Sequence, residues 1–95
     1  KIRFNAIAPG LTDTPFTWNQ AKYMADHNVQ PWEGPLITPD DPLWKKYGPD
    51  WIAKLSAGRI SSPEEQAEMI VFLSSNEASY INGAIMQVDG GDGAK

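Results

Sequence analysis

The sequence predicts an α/β fold in which a long helical connection joins two parallel strands. The first strand is a run of apolar and β-branched residues from Ile2 to Ala8, and the second spans residues 84–88. Between them lies a helix with a strong start signal at Ser62-Pro63. A strand, a helical crossover and a second strand in one sheet form a βαβ unit, whose strands are parallel and whose path is right-handed.

The composition limits the partners that this chain can have. Its 95 residues are enough for one domain, and its net charge of −4 at pH 7 argues against nucleic acid, which requires a basic face. No apolar run approaches the roughly 18 residues of a membrane span. The chain has no cysteine for a disulfide or a thiolate metal site, and its single histidine, His27, lacks clustered partners. We therefore expect a cytoplasmic protein with no nucleic-acid, membrane or metal partner.

The first strand leads into a loop that carries the main candidate ligand-binding groups. Pro9-Gly10 ends the strand, because proline cannot donate to the ladder and glycine permits a sharp turn. The loop then presents the hydroxyls of Thr12 and Thr14. Loops at the carboxyl ends of strands hold the ligands of open α/β sheets. Within the strand, Asn5 is expected to bridge neighbouring backbone groups through hydrogen bonds.

A helix is expected to follow this loop. Residues 17–20 have the form of a capping box, which predicts a helix that runs to about His27. Ala21, Met24 and Ala25 would share one face of this helix, because residues three and four apart are neighbours on a helix surface.

Residues 29–58 are expected to form a lid of short helices. Asp41-Pro42 predicts one helix that ends at Gly48, and Pro49 predicts a second helix that is closed by Gly58. The segment is rich in prolines, acids and large aromatic side chains. A solvated linker would not carry so many aromatic rings, so this segment is interpreted as folded.

The last helix has the clearest local signal. Ser62 is the expected N-cap, Pro63 takes the first helical position and Glu65 completes a capping box. Ser75-Asn76 ends the helix. A broad apolar stripe predicts that most of this helix is buried. The stripe consists of Ala67, Ile70, Val71 and Ser74, and it is widened by Met69, Phe72 and Leu73.

The second strand is bounded by turns on both sides. Asn82-Gly83 precedes it and residues 89–91, Asp-Gly-Gly, close it. Two parallel strands and one helix cannot bury both faces of a sheet, since parallel sheets are interior layers. We therefore expect partner strands, from a missing N-terminal part of the same domain or from another polypeptide.

Blocks at both ends of the chain resemble the short-chain dehydrogenase/reductase family. Residues 2–10 and 12–15 resemble the sixth strand of that family and the loop after it. The remaining blocks resemble its closing helix, the turn after it and its last strand; they are residues 58–59, 63–67, 72–75, 79–83 and 88–91. The resemblance implies the C-terminal part of a Rossmann-like doubly wound parallel sheet, with its last two strands, lid helices and final helix.

The resemblance also implies a cofactor, NAD or NADP, and a site for it. In the family this loop holds the nicotinamide carboxamide. Carried over, Pro9 and Gly10 shape the loop, Leu11 and Thr12 offer backbone groups, and Thr14 offers its hydroxyl. The implied protein is an oxidoreductase that interconverts an alcohol and a ketone or aldehyde by hydride transfer. A homotetramer or homodimer is the implied assembly.

The catalytic residues of the family have no counterpart in this chain. No Gly-rich phosphate loop occurs, and no tyrosine is followed four residues later by lysine. No residue of this chain is therefore predicted to be catalytic, and the 95 residues alone are predicted to be inactive.

The resemblance divides the chain into three segments. Residues 1–16 form the strand and nicotinamide loop, residues 17–58 a variable substrate lid, and residues 59–95 the last helix and strand. Six aromatic residues of the lid region either line an apolar or aromatic pocket for a small-molecule substrate or pack the lid onto its neighbours. They are Phe16, Trp18, Trp32, Trp44, Tyr47 and Trp51.

Two further functions are compatible with the sequence. The chain can be a non-catalytic interaction module whose sheet edge recruits another chain by strand addition. It can also be a degenerate member of the family that pairs its strands with another chain and has lost catalysis.

Overall fold

The computed structural model describes residues 1–94 and confirms an α/β arrangement. Strand β1 (Ala6–Pro9) is followed by helices α1 (Pro15–Ala25), α2 (Pro42–Ala53) and α3 (Pro63–Ser74), and then by strand β2 (Ile85–Val88). Short 3-10 turns occupy Asn76–Ala78 and Asp92–Ala94. The chain thus places three helices between its two described strands.

The two strands pair in parallel, as the sequence predicts. Ala6 lies opposite Ile85 and Pro9 lies opposite Val88, so the register runs without a bulge. Both strands therefore end at the same edge of the sheet, where the loop after Pro9 and the turn after Val88 meet.

Strand β1 is shorter and less covered than predicted. The prediction of a largely buried strand from Ile2 is wrong, because the strand begins at Ala6 and the side chains of Ile2 and Phe4 are 76% and 74% exposed. In the described chain, strand β1 pairs with β2 alone, and residues 2–5 precede the first residue of that pairing, Ala6. Phe4 instead donates to the Asn82 side chain at 3.0 Å and accepts from the Gly83 amide at 2.7 Å.

The Asn5 side chain ties β1 to the turn before β2, which confirms its predicted bridging role. Its Nδ2 donates to the Ile81 carbonyl at 3.0 Å and its Oδ1 accepts from the Ala84 amide at 2.9 Å. Arg3 donates to the Ile81 carbonyl at 3.2 Å as well. These contacts fix the two strand starts side by side.

Helix α1 begins earlier than its predicted capping box. It starts at Pro15 with Thr14 as N-cap and ends at Ala25, so the prediction of a cap at Thr17 and an end near His27 is wrong. Proline at the first helical position is the signal that sets this start. Ala21 is buried as predicted, whereas the other two residues of the predicted face, Met24 and Ala25, are exposed.

Residues 29–58 contain one α-helix, α2, where two were predicted. Asp41 is its N-cap and accepts from the Leu43 amide at 2.9 Å. The predicted break at Gly48 and Pro49 is wrong, because the helix continues through both residues to Ala53. Gly48 lies directly under the buried Trp44 ring, where a Cβ would come within 2.8 Å of Cε2. The helix thus accommodates Pro49, which has no amide to donate to the preceding turn.

Helix α3 has its predicted ends but not its predicted burial. Ser62 Oγ accepts from the Glu65 amide at 3.3 Å, and the Ser62 amide donates to Glu65 Oε1 at 2.9 Å, which confirms the capping box. Only Gln66 and Leu73 of this helix are buried, so the prediction that most of it is buried is wrong. The helix rests on one side of a two-stranded sheet, which leaves the Val71 side chain 68% exposed.

An ion pair reinforces the start of α3. Arg59 donates to both carboxylate oxygens of Glu65, at 2.7 and 2.8 Å, in a bidentate arrangement. The Arg59 hydrogen bond, followed by the backbone hydrogen bond from Ser62, lowers the pKa of Glu65 to about 2.

This pair predicts a pH-dependent contribution to stability. The folded-state pKa of Glu65 is depressed, so the stabilisation is complete above the ordinary value of 4.5 and is lost as the pH falls toward 2. In urea unfolding, wild type should lose stability over this window and Glu65→Gln should lose less. Glu68→Gln, at an exposed position of the same helix, serves as control and should keep the wild-type profile. Identical profiles for wild type and Glu65→Gln would contradict this role.

Candidate functional site

The loop after β1 is fixed by backbone hydrogen bonds on two sides. The Gly10 amide donates to the Val88 carbonyl at 3.1 Å, which extends the ladder to the end of β2. The Ser61 amide donates to the Leu11 carbonyl at 3.0 Å, and the Asp13 amide donates to the Ser61 carbonyl at 2.8 Å. The loop is therefore held between the end of β2 and the residue that leads into α3.

Gly10 lies against the turn that follows β2. A Cβ at this position would be 2.7 Å from both Cα and Cβ of Asp89, closer than real Cβ atoms approach. Asp89 is itself fixed, because its carboxylate accepts from the amides of Gly91 and Gly93 at 3.1 and 2.9 Å. Because glycine has no side chain, the loop after β1 can approach the backbone of Asp89 in the turn after β2 this closely.

Thr12 and Thr14 place polar groups on the side of the loop that faces away from Ser61. Thr12 is the centre of a parallel bridge with Ser61, which uses the carbonyl of Leu11 and the amide of Asp13. The Thr12 amide has no backbone acceptor within residues 1–94. Its carbonyl accepts from the Thr14 amide at 2.8 Å and lies 3.4 Å from the Thr14 hydroxyl. The Thr14 hydroxyl therefore lies beside the Thr12 carbonyl.

Gln66 is a supporting residue that the sequence reasoning missed. Its buried Nε2 donates to Ser61 Oγ at 3.1 Å and to the Val88 carbonyl at 2.8 Å, so it joins both anchor points of the loop. Its Oε1 is buried and has no partner within residues 1–94. Gln66 shares a helix face with the buried Leu73, but this spacing does not distinguish a buried glutamine from an exposed one, so the sequence carried no specific signal for this role.

The aromatic residues predicted for the lid take different positions. Trp18 donates from Nε1 to the Asp13 carboxylate at 2.8 Å and so supports the loop. Trp44 is buried, and its ring lies edge-on to Trp51 with 5.7 Å between centroids. Tyr47 stacks on Trp51 at 6.4 Å. These contacts favour the packing alternative for Trp44.

Trp51 also faces a cavity beside the loop. The cavity has a volume of about 240 Å³, and its walls include Leu11, Tyr23 and Met24. Phe16 and Trp32 both line a separate groove of about 280 Å³, whose lining also includes Asn19 of α1. The structure thus places Trp51 and Leu11 in the lining of one cavity and Phe16 and Trp32 in the lining of another.

Residues 1–94 contain neither a metal-ligand cluster nor a membrane-spanning helix. Among residues 1–94, no group of three or more histidine, aspartate or glutamate side chains could hold a metal ion. None of the helices in the described part of the chain is long and apolar enough to cross a membrane.

Comparisons with known proteins agree with the fold. A family model described as Enoyl-(Acyl carrier protein) reductase matches residues 37–92. The chain is 32% identical over 90 residues to the 3-oxoacyl-(acyl-carrier-protein) reductase FabG of Thermotoga maritima. It is 38% identical over 90 residues to cis-4-hydroxycyclohexanecarboxylate dehydrogenase of Sinomonas cyclohexanicum. Both matches cover 95% of this chain and 27% of the relative.

A solved structure supports the same assignment. Aldohexose dehydrogenase of Thermoplasma acidophilum, in ligand-free form, superposes with a TM-score of 0.72 at 31% identity. The match covers 98% of this chain and 32% of that chain. This chain therefore spans about a third or less of the proteins that it matches. Because the family model covers more than half of its residues, the chain belongs to the short-chain dehydrogenase/reductase family.

Proposed function

We propose that this chain forms the nicotinamide-binding edge of an oxidoreductase that uses NAD or NADP. The enzyme would interconvert an alcohol and a ketone or aldehyde. The two curated relatives, by their names a reductase and a dehydrogenase, support this class of reaction. The observation that carries the proposal is a pair of polar groups just past the carboxyl end of β1: the Thr12 amide, which has no backbone acceptor within residues 1–94, and the Thr14 hydroxyl, which donates to the Thr12 carbonyl.

The residues of the loop fit a carboxamide. A carboxamide offers an oxygen acceptor and two N–H donors, so it needs partners of both kinds. The Thr12 amide supplies a donor, and the Thr14 hydroxyl can donate or accept. Gly10 and Pro9 hold the loop in place, and the backbone of Leu11 continues the same edge. When bound, the nicotinamide ring supplies or accepts the hydride, and the loop would fix which ring face meets the substrate.

The three segments would have distinct roles. Residues 1–16 would bind the nicotinamide, residues 17–58 would cover a small-molecule substrate, and residues 59–95 would support the loop through α3 and β2. The described sheet has two parallel strands, and parallel sheets are ordinarily interior layers, which supports the presence of further strands of the same domain. An open cavity of about 510 Å³ lies between α3 and β1, and its lining combines the apolar Ile7, Ile70 and Leu73 with polar residues such as Arg3 and Asn5. Assembly as a homotetramer or homodimer is proposed from the family.

One observation favours a second candidate function. The apolar side chains of Ile2, Phe4 and Val71 are largely exposed, as expected for a surface that associates with another polypeptide. A non-catalytic interaction module, or a family member that has lost catalysis, would use this surface and leave the Thr12–Thr14 groups without a ligand. Binding of nicotinamide compounds separates these functions from the main proposal.

Thr14→Ala tests the main proposal in the protein produced from its native gene. The variant should weaken NADH or NADPH binding about fivefold, the loss expected from about 1 kcal/mol for one hydrogen bond. Its affinity for ADP-ribose, which lacks the nicotinamide, should not change. Isothermal titration calorimetry measures both affinities.

The control for this experiment is Thr38→Ala, the same chemical change at an exposed position outside the loop. It should leave the affinity for both ligands at the wild-type value. An equal loss of NADH and ADP-ribose affinity in Thr14→Ala would contradict a carboxamide contact. Failure of wild type to bind either dinucleotide would favour the interaction module.

A further inference from the structure

Helix α3 carries a buried glutamine whose two N–H donors are both used. Gln66 is 8% exposed, and its Nε2 donates to the Val88 carbonyl at 2.8 Å and to Ser61 Oγ at 3.1 Å. The Val88 carbonyl can only accept, so the nitrogen of the Gln66 amide must face it. The orientation of the buried amide is therefore fixed, with its oxygen, Oε1, on the opposite side.

The two acceptors of Gln66 belong to the groups that anchor the loop after β1. The Val88 carbonyl also accepts from the Gly10 amide at 3.1 Å. The backbone of Ser61 bonds to the residues on either side of Thr12. Gln66 thus joins the end of β2 to the residue that leads into α3, and the loop is held between these two anchors.

The amide oxygen of Gln66 makes its burial costly. Oε1 is buried and has no hydrogen-bond partner within residues 1–94. A buried acceptor that has given up its hydrogen bond to water without a replacement lowers the stability of the fold. An apolar side chain of similar length would avoid this cost. The two donors of Gln66, and not a net gain in stability, therefore give a reason for a glutamine at this position.

The partners of Gln66 would keep other hydrogen bonds without it. The Val88 carbonyl would keep the Gly10 amide, and Ser61 Oγ would keep its own donation to the Ser62 carbonyl at 2.7 Å. Loss of Nε2 would therefore leave neither partner unpaired. It would leave the two anchors able to shift relative to each other, because the side chain that joins them would be gone.

We propose that Gln66 is a positioning residue for nicotinamide binding: it fixes the spacing of the two anchors so that the polar groups of Thr12 and Thr14 are aligned before the cofactor binds. This inference rests on the proposed oxidoreductase function. The hydrogen bonds of Gln66 go to Ser61 and Val88, so it acts on the loop through them. Alignment before binding lowers the entropic cost of ordering the loop, and displacements of about 0.5 Å are enough to weaken such a site.

Gln66→Met tests the proposal in the protein produced from its native gene. Methionine fills a similar space without the two donors. The variant should weaken NADH or NADPH binding about fivefold and leave the ADP-ribose affinity within about twofold of wild type, by calorimetry. Its urea midpoint of unfolding should fall by no more than about 0.3 M, since removal of the unpaired Oε1 offsets the lost hydrogen bonds.

The matched control is Gln87→Met, the same change at an exposed glutamine of β2. It should leave both affinities and the urea midpoint at their wild-type values. Hydrogen exchange at the Gly10 amide gives a measurement that needs no cofactor. It should be about tenfold faster in Gln66→Met and unchanged in Gln87→Met, because local opening of the loop sets this rate.

A double variant with Thr14→Ala tests whether Gln66 acts through the loop. Two independent fivefold losses of affinity would multiply to roughly 25-fold, whereas residues that act through the same contacts are not additive. The double variant should therefore lose only about tenfold in NADH affinity. A full multiplicative loss would contradict an action through the loop.

The remaining outcomes separate this proposal from the one on which it rests. Wild-type NADH affinity in Gln66→Met would overturn the positioning role. Equal losses of NADH and ADP-ribose affinity, or a Gln66→Met variant that is strongly destabilised or unfolded, would assign Gln66 to general stability and overturn that role as well. If wild type binds neither dinucleotide while exchange at Gly10 still responds to Gln66→Met, the oxidoreductase proposal fails and the control of the loop by Gln66 stands.

Discussion

Trp44→Ala should lower the free energy of unfolding by roughly 4 kcal/mol, the largest effect expected from a single substitution in this chain. The Trp44 side chain is 8% exposed and packs against Gly48 and the edge of Trp51, so its removal leaves a cavity in the lid. Chemical denaturation with urea, followed by circular dichroism, measures this change.

Trp32→Ala is the matched control for this substitution. It removes the same side chain from a position that is 76% exposed, so it should change stability by less than about 0.5 kcal/mol. The two variants therefore separate the two roles that the sequence leaves open for the lid aromatics. Similar losses of stability in both variants would contradict the assignment of Trp44 to packing and Trp32 to the groove.

Gly10→Ala should destabilise the protein by roughly 3 kcal/mol and abolish dinucleotide binding. The new Cβ would be 2.7 Å from two atoms of Asp89, whose carboxylate is held by two backbone amides. The loop would have to move away from β2, which would disturb the bond between the Gly10 amide and the Val88 carbonyl. Urea denaturation and calorimetry with NADH measure the two effects.

Gly34→Ala distinguishes this steric effect from the general cost of replacing a glycine. Gly34 has a φ of +72° and nothing within 4 Å of a new Cβ, so only the left-handed conformation is penalised, by about 1 kcal/mol. It should leave NADH affinity unchanged. A Gly10→Ala variant that binds NADH like wild type would contradict the close contact between the loop and Asp89.

Local signals in the sequence predicted the start of α3, because the capping box at Ser62 and Glu65 is satisfied within one turn. The bridging role of Asn5 was also predicted, although its partners in the turn before β2 are 76 and 79 residues away in the sequence. The parallel pairing followed from the order of the elements. The Pro-Gly end of β1 also followed from local chemistry, because proline and glycine restrict the backbone directly.

Two predictions were wrong for different reasons. Gly48 and Pro49 ordinarily break helices, but α2 continues through both, with the Trp44 ring, one turn earlier on the same helix, packed over Gly48. The apolar stripe of α3 predicts burial only if elements cover it, and the described chain supplies a sheet on one side alone. Periodicity identifies an apolar face but gives no information on which segment covers that face.

Three buried polar residues could not be found from local pattern. Gln66, Asn19 and Lys22 are polar side chains within helices, where the usual interpretation is exposure to solvent. All three are buried because each finds backbone or hydroxyl partners in a segment that is distant in the sequence. Only the tertiary fold brings those partners close. The motif of the loop was recognisable, and its support by Gln66 was not.

The most direct test of the central claim is a titration of the ¹⁵N-labelled protein, produced from its native gene, with NADH. If the loop binds the nicotinamide carboxamide, the amides of Leu11, Thr12 and Thr14 should show the largest shift changes and saturate together. ADP-ribose should not reproduce these changes, because it lacks the carboxamide. Saturable NADH binding that leaves these three amides unchanged would contradict the account.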